Sequence, residues 1–352
     1  SICCSRWLWS LWRVARLVEP GELLGPGHFA WQEAPPPVPA DGEVLMRTLC
    51  LSTSPAQRGY ISINRSRQLL PDLAVGEVMR GRGIGVVVES RHPDFRPGEL
   101  YDASLGWQDY SIQRPREPQS IFSIRRVDDP VRPLTTELGL LGNAGMTAFF
   151  GLLEVGQFRP GESVLVSAAA GGVGSVVGQL ARIRGAAQVV GLAGSDDKCR
   201  WLVEELGFSA AINYKREDLG ARLRELNPRG FDVFFDNVGG AILDTCLLHL
   251  AMRARVVVCG WISVDYAGGQ AVGPVNYRQL LYKRARIEGF VVFDYWSRYP
   301  EARRQLKQWY RAGALRDCGH VLEGLEQMPM ALQGLFTGAN RGVTGCRVAA
   351  DP

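Results

Sequence analysis

Four histidines in 352 residues (His28, His92, His249 and His320) stand far from one another, and none of the eight cysteines belongs to a Cys-x-x-Cys pair. Metal centres draw on such ligands at short spacing, so neither a structural nor a catalytic zinc is expected. The cysteines themselves, Cys3, Cys4, Cys50, Cys199, Cys246, Cys259, Cys318 and Cys346, are scattered without paired spacings. That argues against a disulfide framework and for a reducing, cytoplasmic setting. No run of 18 apolar residues occurs, so no membrane span is expected. Blocks of Lys or Arg are missing too: 40 basic and 36 acidic residues are interspersed, for a net charge of +4. Nucleic acid, which calls for a basic stripe, is a poor ligand for such a chain.

What remains is an ordinary soluble composition, 46% hydrophobic and 22% charged, in a chain longer than one core usually organises. Its first residues, "SICCSRWLWSLWRVARLV", crowd Trp and Leu between Arg6 and Arg13 over too short a stretch to span a bilayer. They read as an irregular extension, residues 1–12, leading into a first strand. "APPPVPADG" from Ala34 is an extended connector, because consecutive prolines exclude helix. From Asp41 to Tyr110, short apolar runs cut by Gly and Pro describe a small β-rich domain. Within it, Trp107 and Tyr110 of "GWQDY" are expected to fill the core.

After Arg132 strands and helices alternate. Strands are expected at Ser163–Ser167, Gln188–Leu192, Ala210–Asn213, Asp232–Phe235, Arg255–Cys259 and Ile287–Val292. Helices are expected at Gly174–Arg184, Asp196–Leu206, Asp218–Leu226, Ala241–Leu250 and Asn276–Lys283. That rhythm is an α/β, doubly wound parallel sheet, and Val-rich runs such as "RVVVCG" place its strands inside. The expected division is a sheet-and-helix domain over 133–304 and a β-rich domain formed by 1–132 and 305–352.

"SVLVSAAAGGVGSVVGQLAR" carries the chemistry. A strand runs into Ala169-x-Gly171-x-x-Gly174, with Gly172 and Val173 between, and a helix follows at once. In a dinucleotide fold the diphosphate sits on that helix start, and only small side chains let the backbone come close. Gly178, one turn on, allows close packing of helix on strand. The next strand ends in Ala193-Gly194-Ser195 with Lys198 a turn later, where an NAD enzyme would carry an acid to grip the ribose hydroxyl. The pattern favours NADPH. Asp196 and Asp197 lie close by, and a helix start gives them a separate reason as dipole partners.

Seven ordered blocks then carry a resemblance: "GNAGMTAFFGLLEVG", "PGESVLVSAAAGGVGSVVGQLA", "AGSDDK", "INYK", "FDNVGG", "CGWIS" and "IEGFVVFDY". From about Pro35 to Val348 the sequence resembles the zinc-independent medium-chain dehydrogenases/reductases, in the leukotriene/prostaglandin reductase and bacterial curcumin reductase group. The resemblance implies a Rossmann NADP-binding domain and a GroES-like catalytic domain, usually in a homodimer, that reduce alkenals and enones with NADPH. It assigns Lys198 to the ribose phosphate, Tyr214 beside it, and Asn237 to the cofactor groove. Cys259, Gly260, Ile262 and Ser263, then Phe290, Val291 and Val292, and Asn340 match segments around the nicotinamide half. Tyr282 falls where mammalian members carry a tyrosine near the substrate carbonyl; some bacterial members differ there.

One block departs. The family's L-S-x-D-P-Y-M-R-G reads "LSTSPAQRG" here, with Ser54 for the acid and Ala56 for a tyrosine that borders the substrate; Tyr60 follows four residues later. Reducing a conjugated double bond needs a hydride from the cofactor and a hydrogen-bond donor for the enolate oxygen. Tyr282 is the candidate donor, with packing on the sheet as its other reading. Cys199 and Cys259 read as packing thiols. Two alternatives to the enone reductase stay open: a quinone reductase, and a nucleotide-binding member without catalysis.

Overall fold

The N-terminal Trp/Leu stretch makes a strand. In the computed structural model, whose described residues are 8–63, 71–115, 123–262 and 273–352, β1 (Trp9–Val14) pairs antiparallel with β2 (Phe29–Ala34), Trp9 opposite Ala34. Leu11 and Val14 are buried, Trp12 sets its ring edge-on to Trp31 at 5.1 Å, and its indole N–H donates to the Leu325 carbonyl at 3.0 Å. The expected irregular extension is corrected from Trp9 onward, because two apolar anchors and a long-range hydrogen bond hold it.

Next come β3 (Val44–Ser52), the short α1 (Ala56–Gly59), β4 (Arg82–Ser90), β5 (Leu100–Ser104), β6 (Tyr110–Gln113), β7 (Arg125–Arg126) and the single turn α2 (Thr135–Leu138). β3 pairs antiparallel with β4, with two register shifts along the pair. Such bulges bend and twist a strand. Trp107 is fully buried and Tyr110 nearly so, which places both aromatics of "GWQDY" in the interior.

A second compact unit begins at Leu140. α3 (Asn143–Phe150) runs on into a π turn over Gly151–Val155, and then strands and helices alternate. They are β8 (Ser163–Val166), α4 (Gly172–Ile183), β9 (Gln188–Ala193), α5 (Asp196–Glu204), β10 (Ala210–Asn213), α6 (Leu219–Leu226), β11 (Phe231–Asp236), α7 (Gly240–Leu247), β12 (Leu250–Val258), α8 (Gln279–Lys283), β13 (Arg286–Gly289) and α9 (Tyr299–Arg311). The sheet order β10-β9-β8-β11-β12-β13, parallel throughout, is the doubly wound arrangement with this unit's first strand, β8, at its centre. Leu165, Phe234 and Val256 from three neighbouring strands are buried in one core with Leu243 and Leu247 of α7.

β13 ends at Gly289, short of the expected Val292. β12 gives out first: beyond Val258, the Gly260 N–H, which would face β13, joins that of Cys259 on the Asp236 carbonyl, leaving residues past Gly289 no ladder to join. β12 begins earlier than expected, at Leu250, and α8 follows a 3₁₀ turn over Val275–Arg278.

The chain re-enters the first unit at Gly319, where the sequence suggested residue 305; α9 lies wholly in the second unit. β14 (His320–Glu323), α10 (Met328–Thr337) and β15 (Thr344–Arg347) complete the first unit. β15 runs parallel to β14 and antiparallel to β3, giving the order β14-β15-β3-β4-β5-β7, with β6 also on β3. Arg341–Val343 belong to the second unit. No described helix is long and apolar enough to cross a membrane.

Candidate active site

Between β8 and α4 the backbone closes a tight turn. Ala168 takes the left-handed region at φ 46°, its carbonyl accepts the Gly171 N–H at 2.9 Å, and Ala169 donates its N–H to Leu192 of β9. Gly171 caps α4 in an extended conformation with no side chain to cap it. The first N–H groups of a helix, here those of Gly172, Val173 and Gly174, have no acceptor further up the helix and face whatever lies before it. A Cβ on Gly174 would stand 2.4 Å from the Ala168 oxygen and 2.8 Å from the Ala169 Cα. A Cβ on Gly178 would stand 1.9 Å from the Phe208 ring. The first glycine keeps the helix start against the turn, and the second keeps the helix body against the core. Ala169 is fully buried, with its Cβ turned toward Gly191, so it shapes the turn from inside. This is the setting a dinucleotide diphosphate needs, and the residues present fit one.

The ends of β9 and β10 bring Gly194, Ser195, Lys198 and Tyr214 together. Ser195 caps α5 through its hydroxyl, which accepts the Lys198 N–H at 3.3 Å. A Cβ on Gly194 would meet the Tyr214 hydroxyl at 3.0 Å and the Lys215 Cε at 3.2 Å. Burial pulls the Lys198 ammonium below its ordinary value, and the charges of Arg341 and Lys215 pull the same way. The Arg341 guanidinium lies over the Trp201 ring, 6.0 Å from its centroid. Asp196, the acid that could have gripped a ribose hydroxyl, instead accepts from Asn213 at 2.6 Å and pairs with Arg216. Asp197 pairs with Arg200 at 3.2 Å. The pole beside Gly194 is cationic, as a ribose phosphate requires.

Asn237 is fixed at the carboxyl ends of the central strands, where the strand order reverses. Its backbone N–H donates to Ser167 Oγ at 2.8 Å and its side-chain amide to the Ser167 carbonyl at 2.7 Å. Asp236, fully buried, accepts from Ser167 Oγ and from the N–H groups of Val238 and Gly239; its own carbonyl accepts from Cys259 and Gly260. Burial raises the Asp236 carboxyl, while those donors pull it back. Ser167 and Asp236 thus tie the ends of β8, β11 and β12 into one frame, a role the sequence reading missed although Asp236 sits inside the quoted "FDNVGG". Burial pushes the Cys259 thiol up to about 12 and Cys199 to about 11, as packing thiols should be.

Gly260 and Ile262 follow Cys259 in the same unit, and Ser263 lies outside the described residues. Phe290, Val291 and Val292 follow β13, and the Phe290 ring lies where a Cβ on Gly151 would fall, 2.7 Å away. Tyr282, on α8, is 62% exposed, and its hydroxyl has no hydrogen-bond partner among the described residues. Asn340 lies buried in the first unit. In that unit "LSTSPAQRG" forms α1 and its approach: Gln57 accepts the Ser54 N–H and donates to the Arg80 carbonyl, and buried Arg58 donates to the Glu22 carbonyl. Ala56 is exposed, and Tyr60 lies under the Arg80 guanidinium at 5.5 Å.

Comparison with known proteins extends this geometry. The family described as "Zinc-binding dehydrogenase" matches residues 172–308, and the one described as "N-terminal domain of oxidoreductase" matches 13–121. Among the described residues, no three His, Cys, Asp or Glu come together that could hold a metal ion. The chain is 41% identical to the NADP(+)-dependent 2-alkenal reductase of Nicotiana tabacum, over 85% of each chain. It is 37% identical to the NADPH-dependent curcumin reductase of Escherichia coli K12, over 93% of each. The crystal structure of CurA from Vibrio vulnificus in complex with NADPH superposes with a TM-score of 0.87 at 32% identity, covering 97% of this chain and all of that one. With both halves matched in order, and with relatives this similar over nearly their whole length, the chain belongs to the medium-chain dehydrogenase/reductase superfamily, in the group of the alkenal, curcumin and prostaglandin reductases.

Proposed function

We propose that this protein is an NADPH-dependent reductase of carbon–carbon double bonds conjugated to a ketone or aldehyde. The observation that carries the reading is the glycine-lined start of α4 beside a cationic pole at Lys198. The substrate class follows from the reductases to which the chain is 37–41% identical.

In this reading the N–H groups of Gly172, Val173 and Gly174 hold the diphosphate, with the positive end of the α4 dipole behind them. Lys198 and Tyr214 take the ribose phosphate. Asn237, held by Ser167 on two hydrogen bonds, offers its amide oxygen to the groove, while the backbone of Cys259, Gly260 and Ile262 and the Phe290–Val292 segment border the nicotinamide half. When bound, NADPH supplies the hydride for the substrate's β-carbon. Tyr282 donates its O–H to the carbonyl oxygen, where negative charge gathers as the double bond is reduced. Its exposure, and the lack of a competing partner among the described residues, leave that donor available.

The reading includes a cytoplasmic homodimer. Supporting the dimer, β13 is the outer strand of the parallel sheet, and Val275, Tyr277 and Leu281 stand exposed on the elements before it. Light scattering at micromolar concentration tests it, a monomer being the contrary result. The activity itself is tested by NADPH oxidation against enones, enals and benzoquinones. A product two hydrogens heavier than the enone is expected, and turnover of quinones alone would overturn the reading.

A further inference from the structure

The cationic pole holds more charge than Lys198. Lys215 reaches it from the end of β10 and Arg341 from the segment after α10, with the Trp201 ring of α5 under its guanidinium. Trp201 stands three residues after Lys198, so one face of α5 presents the ammonium and the aromatic support together. Neither the Lys215 ammonium nor the Arg341 guanidinium has a carboxylate partner among the described residues. The two acids in the first turn of α5 are engaged elsewhere, Asp196 by Asn213 and Arg216 and Asp197 by Arg200.

Like charges gathered around a half-buried ammonium repel, and each depresses the tendency of Lys198 to stay protonated. An anion at their centre reverses the sign of every one of those interactions. Guanidinium is suited to that task, because its planar fork matches a phosphate with two hydrogen bonds and its face can rest on an aromatic ring.

We propose that Arg341 and Lys215 join Lys198 in holding the ribose phosphate of NADPH, and that Arg341, propped on Trp201, sets the margin by which NADPH is preferred over NADH. The proposal rests on the NADPH reading above. Arg341 is a specificity-determining residue here and Trp201 a positioning residue that fixes its guanidinium.

Calorimetric titration of the full chain with NADPH, NADH and adenosine 2′-monophosphate tests it. Arg341→Leu removes the charge and keeps an apolar stem on the ring. It should weaken NADPH about tenfold, the effect of one charge-assisted phosphate contact, and leave NADH within about twofold. Adenosine 2′-monophosphate should lose most of its affinity, Arg341→Lys should recover part of it, and Lys215→Ala should act in the same direction. An unchanged NADPH-to-NADH ratio in Arg341→Leu overturns the proposal, whether the variant's melting temperature holds or falls. Equal weakening of both cofactors overturns it as well. If the unmutated chain binds neither cofactor, the NADPH reading itself fails and the proposal with it, whereas preference for NADPH in the unmutated chain with no change in the variant defeats only the proposal.

Discussion

Replacing Gly174 by Ala tests the turn on which cofactor binding depends. The added methyl would stand 2.4 Å from the Ala168 carbonyl oxygen, and its next neighbours, the Ala169 Cα and the Ala168 carbonyl carbon, are backbone as well. That carbonyl cannot swing away without breaking its bond to the Gly171 N–H. Relief therefore requires the helix start to withdraw by about 1 Å to reach ordinary contact. Overpacking of this kind costs ~1–3 kcal/mol. The better helix propensity of Ala offsets ~1 kcal/mol at most. Because the neighbours are rigid, a net loss of ~1–2 kcal/mol is expected, which lowers the melting temperature of a unit this size by about 2–8 °C. The same withdrawal lengthens the N–H contacts to the diphosphate. Losing one charge-assisted hydrogen bond, worth ~1.5–3 kcal/mol, weakens NADPH at least tenfold. Calorimetry and thermal melting read the two effects separately. Gly178→Ala is the matched control: its methyl would collide with the Phe208 ring, away from the turn. It should lower the melting temperature at least as far and leave NADPH affinity within about twofold. Should Gly174→Ala bind NADPH as tightly as the unmutated chain, the backbone cradle is not where the diphosphate sits.

Tyr282→Phe should reduce turnover of an enone at least tenfold, about 1.4 kcal/mol in the barrier, with NADPH affinity unchanged by calorimetry; undiminished turnover removes Tyr282 from the reaction. Glu22 in the first unit is held at about 2 by its hydrogen bond to Arg16, by the Glu19 N–H and by His28, against an ordinary value of 4.5. A depressed carboxylate stabilises the fold above its unfolded value and loses that contribution as pH falls through the folded one. Urea unfolding between pH 2 and 5 should therefore show a shallower acid loss in Glu22→Gln than in the unmutated chain, and superimposable profiles would refute the pairing.

The doubly wound unit was legible because buried parallel strands read as continuous apolar runs and because its glycines come at fixed offsets. β8, β9 and β10 fall where the Val- and Ala-rich segments put them, within one residue. Pairing partners were less legible. The end of β13 depends on where β12 turns its Gly260 N–H to Asp236, and no local pattern in "IEGFVV" records that. The Trp-rich start resisted for the same reason: its strand forms against Phe29–Ala34 and the Leu325 carbonyl, far along the chain. Within the site, the turn and Lys198 were visible as motif. Arg341 was hidden because its meaning comes from Trp201, 140 residues away, and Ser167 because its hydroxyl serves Asp236 on another strand.

β15 lies between β14 and β3, so an interior strand of the first unit's sheet is synthesised long after the strand it joins. At translation speeds of about 5–20 residues per second, β3 waits on the order of tens of seconds for that partner. Over most of that interval the ribosome is delivering Leu140–Cys318, an uninterrupted stretch that can collapse by itself and draw the two distant strands nearer. Until β15 emerges, a bare strand edge flanked by Leu49 and Leu51 is open to any neighbouring polypeptide. Maturation of this enzyme therefore has a direction: the half with the glycine turn finishes early, and the other half stays vulnerable to aggregation until its final strand is in place.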